Sequence, residues 1–124
     1  MCLPLMFPRH RRALSDAGAR VYFCGHDHFY DRTKVADTGG GYEMEQITAG
    51  TAGAPFYSQG KVPEEKDWKL ERQRHLDSMY GYILVKVEGK TATVEFKGRT
   101  LASGEYETKD CFTYTVQTQT QGEN

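Results

Sequence analysis

The sequence has little of what defines several common protein classes. Its 124 residues contain three cysteines, Cys2, Cys24 and Cys111, which lie far apart and show no Cys-x-x-Cys spacing. This spacing argues against a zinc finger and does not indicate a disulfide framework. No apolar run approaches the ~20 residues that a membrane-spanning helix needs. We therefore expect no membrane partner.

An excess of charge of one sign is also missing. Sixteen lysine and arginine residues stand against 17 aspartate and glutamate residues, for a formal net charge of −1. A near-neutral chain has no general basic field to attract nucleic acid, and basic and aromatic residues do not interleave in a patch. We expect no nucleic-acid binding. Hydrophobic residues make up 38% and charged residues 27% of the chain, as in a globular protein.

The length predicts one domain, so we expect residues 1–124 to form a single unit with a polar tail at 118–124. The opening MCLPLMFPRH lacks the charged region and long apolar stretch of a secretory signal. It leads directly into a helix and a strand, which together are half of a βαβ unit without its first strand. Both features predict that further sequence precedes this chain. The compartment is left open.

The N-terminal half predicts one helix and two strands. PRHRRALSDAG is typical of a short helix, with Pro8 in its first turn and Gly18 just past its end. The apolar run 21–24 predicts a buried central strand of a parallel sheet. MEQITAG predicts another strand, whereas DRTKVADTGGGYE and TAGAPFYSQG favour loops. The charged stretch 63–78 fits a surface helix or an ordered excursion, and the pattern does not decide between them.

The C-terminal third has clearer patterns. YGYILVKV and TATVEFKG alternate with period two and are joined by EGK, which indicates a β-hairpin. Ala92, Val94 and Phe96 should share the inner face of its second strand. CFTYTV predicts a third strand of the same kind.

The segment VYFCGHDHFYDR carries the strongest chemical signal. His26 and His28 follow Gly25 at the end of an apolar strand, two of only four histidines in the chain. Side chains two residues apart on a strand lie roughly 6–7 Å apart, which suits two neighbouring metal ions. Ligands collect at the carboxyl ends of parallel strands in α/β sheets. A pair of solvated or hydrogen-bonded turn histidines fits the spacing equally well.

ARVYFCGHDHFYDR resembles the last metal-binding block of the calcineurin-like metallophosphoesterases, in which a hydrophobic strand runs into Gly-His-x-His. The continuation HFYDR is similar to the purple acid phosphatase branch. ITAGTAGAP and YGYILVKVEGKTATVEFKG resemble the glycine-rich loop and closing hairpin of these enzymes. The resemblance implies an α/β fold, the C-terminal portion of a four-layer αββα sandwich, with a short helix, a central strand and then mostly antiparallel strands.

The resemblance also implies a function. The complete domain hydrolyses phosphate esters with a water activated by two metal ions, for which Fe, Zn and Mn are the candidates. His26 would bind one metal and His28 the other, while Tyr30 and Arg32 would line the mouth of the site and contact the substrate. The alternatives are that Tyr30 is a packing residue with a satisfied hydroxyl, and that Arg32 forms a salt bridge with Asp31 or Asp37. Asp27 matches a variable position of the motif and is assigned no ligand role.

The sequence lacks several motif blocks that are typical of the family. The Asp-x-His, Gly-Asp and Asn-His blocks are absent, so no catalytic acid is assigned, and His10 and His75 match no family block. We expect both of these histidines to be solvated. The chain would then be inactive alone, and the alternative is a non-catalytic fragment that binds metal or phosphate. Such a fragment should self-associate through an exposed sheet edge.

Overall fold

A computed structural model describes residues 8–56 and 64–116. This part of the chain is mostly β, with one helix and seven strands in two sheets. In chain order these are α1 (Pro8–Asp16), β1 (Val21–Cys24), β2 (Tyr30–Asp37), β3 (Glu43–Ala49), β4 (Trp68–Leu76), β5 (Gly81–Glu88), β6 (Thr91–Arg99) and β7 (Tyr106–Thr115).

Helix α1 forms where the sequence predicts it. Gly18 follows the helix with a positive φ of 72°, and the amide of Ala19 donates to the carbonyl of Leu14, so the last turn is closed as expected. Leu14 packs against the first sheet, at a cluster formed by Val35, Met44 and Trp68. The helix therefore covers one face of that sheet.

The first sheet has the strand order β1-β3-β2-β4. Strands β1 and β3 are parallel, and the β2–β3 and β2–β4 pairs are antiparallel. The predicted parallel strand at 21–24 is confirmed, but its central position is wrong, because β1 lies at the edge of the sheet formed by the described residues. Phe23 is 47% exposed there.

Cys24 takes part in a disulfide, which the cysteine spacing did not indicate, whereas Cys111 is free and exposed.

Two segments predicted as irregular or helical are strands. Residues 30–37 form β2, between β3 and β4, and residues 68–76 form β4. Both are rich in charge, which argued against burial. The structure accommodates this charge in pairs across the strands, such as Arg72 with Asp31. Strand pairing therefore overrides the local sequence preference.

The second sheet is the antiparallel meander β5-β6-β7. The predicted hairpin is confirmed, with Glu88 opposite Thr91 and a turn in which Gly89 has a φ of 59°. Ala92, Val94 and Phe96 are buried, as the alternation predicts. The third predicted strand is confirmed as β7 and is longer than expected. The polar tail at 118–124 lies outside the described residues.

The two sheets pack face to face through a second cluster. Tyr30 and Ile47 of the first sheet meet Val94 and Phe96 of the second. The rings of Tyr30 and Phe96 stack with centroids 4.1 Å apart. Because α1 covers the opposite face of the first sheet, the described chain has a helix and two sheets in layers. No helix in residues 8–56 and 64–116 is long and apolar enough to cross a membrane.

Candidate metal centre

Residues 25–29, here called the histidine loop, lie at the carboxyl end of the parallel strand pair. Cys24 at the end of β1 is opposite Thr48 near the end of β3, so both strands finish at the same edge of the sheet. The loop then enters β2, which pairs with the other side of β3. It therefore crosses over the end of β3. This is the edge at which ligands collect in sheets with parallel strands.

Gly50 allows the loop to pass close to the end of β3. A Cβ on Gly50 would lie 2.0 Å from the carbonyl oxygen of Asp27, so only glycine fits there. The Gly50 amide also donates a hydrogen bond to the carbonyl of Phe29, at 3.2 Å. The backbone of the histidine loop is thus held against β3 at two neighbouring positions.

His26 has a left-handed backbone, with a φ of 77°. Among the described residues it is the one non-glycine residue with positive φ, and Gly25 has no positive φ. Histidine reaches this conformation at a cost of order 1 kcal/mol, and residues strained in this way cluster at functional sites. The left-handed turn after β1 is therefore made by His26. Its side chain is exposed.

His28 is oriented by the loop that follows β3. Its Nδ1 lies 2.9 Å from the carbonyl oxygen of Pro55. Since a carbonyl can only accept, Nδ1 carries the hydrogen and donates it, and in the neutral ring Nε2 holds the lone pair. Metal-binding histidines commonly use one ring nitrogen in this way and coordinate with the other.

The rest of the described chain adds no third ligand. Asp27 lies between the two histidines but is 1% exposed, with its side chain away from solvent. Within residues 8–56 and 64–116, no group of three or more histidine, cysteine, aspartate or glutamate side chains is placed to hold a metal ion. Catalytic zinc sites use three protein ligands. Two histidines alone do not form such a site, so metal binding by His26 and His28 stays a prediction.

The structure places Tyr30 and Arg32 between the two sheets. The Tyr30 hydroxyl donates to Asp110 Oδ2 at 2.6 Å, and Arg32 donates to both oxygens of Asp110 at 2.7 and 3.1 Å. Burial, followed by the bond to Asp110, raises the pKa of Tyr30 well above its ordinary value. The Arg32 guanidinium also lies over the ring of Phe112, 4.9 Å from its centroid. Their predicted contact with substrate stays a prediction.

The sequence analysis missed a buried polar cluster beside the histidine loop. Asp31 of β2 is 1% exposed and accepts hydrogen bonds from Thr33 at 2.6 Å and His75 Nδ1 at 2.8 Å. It also pairs with Arg72 Nε at 2.7 Å. The expectation that His75 is solvated is wrong, because β4 brings it directly opposite Asp31. Nothing in the sequence around His75 signals this pairing, which depends on strand register. His10, by contrast, is exposed on α1.

An open groove of about 480 Å³ begins at Gly25 and runs between the edges of the two sheets. Phe23 lines it from β1, and Tyr82 and Ile83 line it from β5. Its described lining residues carry no charge. The groove therefore suits an apolar contact and lacks the cationic groups that bind phosphate.

Comparison with protein families, with characterised proteins and with solved structures finds no match to this chain.

Proposed function

We propose that this chain supplies His26 and His28 as metal ligands to a binuclear phosphoesterase of the calcineurin-like superfamily, in the purple acid phosphatase-like branch. The observation that carries the proposal is the orientation of His28. Its Nδ1 donates to the carbonyl of Pro55, at the sheet edge where β1 and β3 both end. A hydrogen bond from one ring nitrogen to a backbone carbonyl is the support that metal-binding histidines commonly have.

The strained backbone of His26 supports the same proposal. A φ of 77° at His26 turns the chain between β1 and Asp27. This conformation destabilises the fold, and it occurs within a motif that resembles a metal-binding block. The fold is compatible with the C-terminal part of a four-layer αββα sandwich, since a helix covers one face of the first sheet and the second sheet covers the other.

The metal ions, from among Fe, Zn and Mn, would lower the pKa of a bound water and polarise the phosphoryl group of a phosphate ester. Within this chain, His26 and His28 would hold the ions, and the carbonyl of Pro55 would fix the orientation of one ring. Two imidazoles do not complete such a site. The remaining ligands would have to come from outside the described residues, so hydrolysis by the chain alone is not part of the proposal.

A second candidate is a non-catalytic fragment that binds metal or phosphate. The observation that favours it is the small donor set, together with the exposed position of His26. Two copies related by a twofold axis could each contribute both histidines, and four imidazoles suit one zinc ion. The two candidates predict different metal contents.

The test is metal content per chain, measured by elemental analysis on protein sized in the same run. We expect His26→Ala and His28→Ala each to lower the bound Zn²⁺ or Mn²⁺ to near background, because each removes one of two ligands. His10→Ala, which changes an exposed histidine on α1, serves as the control and should bind as the unchanged chain does. Hydrolysis of p-nitrophenyl phosphate by the metal-loaded chain is followed in parallel.

The outcomes separate the candidates. Metal binding that depends on His26 and His28 supports the proposed ligands. Hydrolysis that is lost in the same variants would show that the chain assembles a full ligand set by itself, which the proposal does not require. About half a metal per chain in a dimer without hydrolysis favours the shared-histidine fragment. Metal retained when His26 and His28 are both replaced by alanine, or lost equally in His10→Ala, contradicts both candidates.

A further inference from the structure

The pair formed by His75 and Asp31 is joined by side-chain contacts in addition to strand pairing. The two residues face each other on β4 and β2, and the Asp31 carboxylate is also bound by Thr33 and Arg72. His75 donates from Nδ1 to Asp31 Oδ2 at 2.8 Å, which fixes the plane of its ring. Its Nε2 is buried and makes no hydrogen bond within the described residues. The ring is therefore held by one edge, and its faces are left for packing.

One neighbour of that ring belongs to the histidine loop. The ring of Phe29 lies 4.8 Å from the ring of His75, tilted by 53°. Phe29 directly follows His28 and is 1% exposed. Its carbonyl accepts the hydrogen bond from the Gly50 amide, so Phe29 is fixed by side chain and backbone at once. Replacing His75 would therefore alter the packing of Phe29, and through Phe29 the conformation of the histidine loop.

We propose that His75, oriented by Asp31, is a positioning residue that holds the histidine loop in place through Phe29. Its contribution to metal affinity rests on the proposed function, whereas its effect on the order of the loop does not. The assignment goes beyond the proposed ligands, since the resemblance to a known family assigns no role to His75.

Three variants separate the two contacts of His75. His75→Phe keeps a ring against Phe29 and loses the donor to Asp31. His75→Asn keeps a donor near the position of Nδ1 and loses the ring, and His75→Ala removes both. Gln73→Ala, at an exposed position of the same strand, is the matched control.

Two measurements are made on each variant, at a temperature where all of the variants are folded. The first is hydrogen exchange of the Gly50 amide, with the amide of Val94 in the second sheet as an internal reference for global unfolding. The second is titration with Co²⁺, followed by its visible absorption, which reports coordination geometry. We expect Gly50 exchange to accelerate and Co²⁺ affinity to fall by about tenfold in His75→Ala, as for other outer-shell supports of metal ligands.

His75→Phe should recover much of this loss because it restores the contact with Phe29, and His75→Asn should behave like His75→Ala. Equal Gly50 exchange in all variants would overturn the proposal, as would exchange that accelerates to the same extent at Val94. Full recovery by His75→Asn would overturn the route through Phe29. If the unchanged chain binds no Co²⁺, the proposed function fails, and Gly50 exchange still decides the role of His75.

Discussion

At the scale of single residues, Asp110 is the group on which the junction of the two sheets depends. It lies on β7 and accepts hydrogen bonds from Tyr30 and Arg32 of the first sheet. Burial alone would raise the pKa of its carboxyl, but the bonds donated by Arg32 and Tyr30 outweigh burial and hold the pKa below its ordinary value of 3.8. The charged form of Asp110 is thus favoured by folding.

This shift gives a pH-dependent prediction for Asp110→Asn. A carboxyl whose pKa is lower in the folded chain stabilises the fold above its unfolded pKa of about 3.9, and the contribution is lost as the pH falls through the folded pKa. At pH 7 the variant should lose about 2 kcal/mol of unfolding free energy, as expected for hydrogen bonds to a charged group. Urea denaturation from pH 7 to pH 2 measures it.

The difference between Asp110→Asn and the unchanged chain should begin to shrink as the pH falls below about 4. It should be smallest below the folded pKa of Asp110, where both chains carry a neutral side chain at this position. Asp67→Asn, at an exposed position, is the control and should stay within about 0.5 kcal/mol of the unchanged chain at pH 7. A constant difference at every pH would show that the charge of Asp110 does not stabilise the junction.

At the scale of elements, the histidine loop depends on the end of β3. The loop has to cross that strand, because β1 and β2 lie on opposite sides of it. The crossing is close enough that the Asp27 carbonyl occupies the space of a side chain at Gly50. Asp27 and Gly50, which are 23 positions apart in sequence, therefore determine one conformation.

Gly50→Ala should displace the loop. A methyl group 2.0 Å from the Asp27 carbonyl cannot be accommodated without backbone movement, so we expect a loss of about 2 kcal/mol or more in the free energy of unfolding. Gly25→Ala is the matched control, since its Cβ would meet nothing within 4 Å, and it should stay within about 0.5 kcal/mol of the unchanged chain. Urea denaturation compares the two, and equal stabilities would show that the loop is not packed against Gly50.

At the scale of the whole molecule, an edge of the second sheet carries exposed apolar side chains among the described residues. Strand β5 is an edge of the second sheet and carries Val85 and Val87, which are 41% and 70% exposed. The apolar groove between β5 and β1 continues this surface to Phe23. Edge strands with exposed apolar side chains are sites of intermolecular pairing.

We therefore expect the chain to self-associate in a concentration-dependent way, and Val87→Lys to weaken this association by about tenfold or more, because pairing would bury an unpaired charge. Sedimentation at several concentrations measures the change. Leu101→Lys, at a residue 91% exposed in the turn before β7, is the control and should associate as the unchanged chain does. A chain that stays monomeric at all concentrations contradicts the prediction.

Local patterns determined the parts of the fold that depend on neighbouring residues. The bounds of α1 follow from Pro8 and Gly18, and the β5–β6 hairpin follows from period-two alternation around Gly89. The Gly-His-Asp-His segment is visible without any structure, and its place at the end of a parallel strand was predicted from the apolar run before it.

The tertiary structure decided what depends on partners far apart in the chain. Strands β2 and β4 have polar, charged sequences, and they are strands because their neighbours supply hydrogen bonds and opposite charges. The pairing of Asp31 with His75 joins residues 44 positions apart, and the role of Gly50 arises from a loop that crosses it. Composition and spacing indicate the conformation that a segment prefers by itself. Register and crossing geometry decide which side chains meet, and these arise only when the sheets assemble.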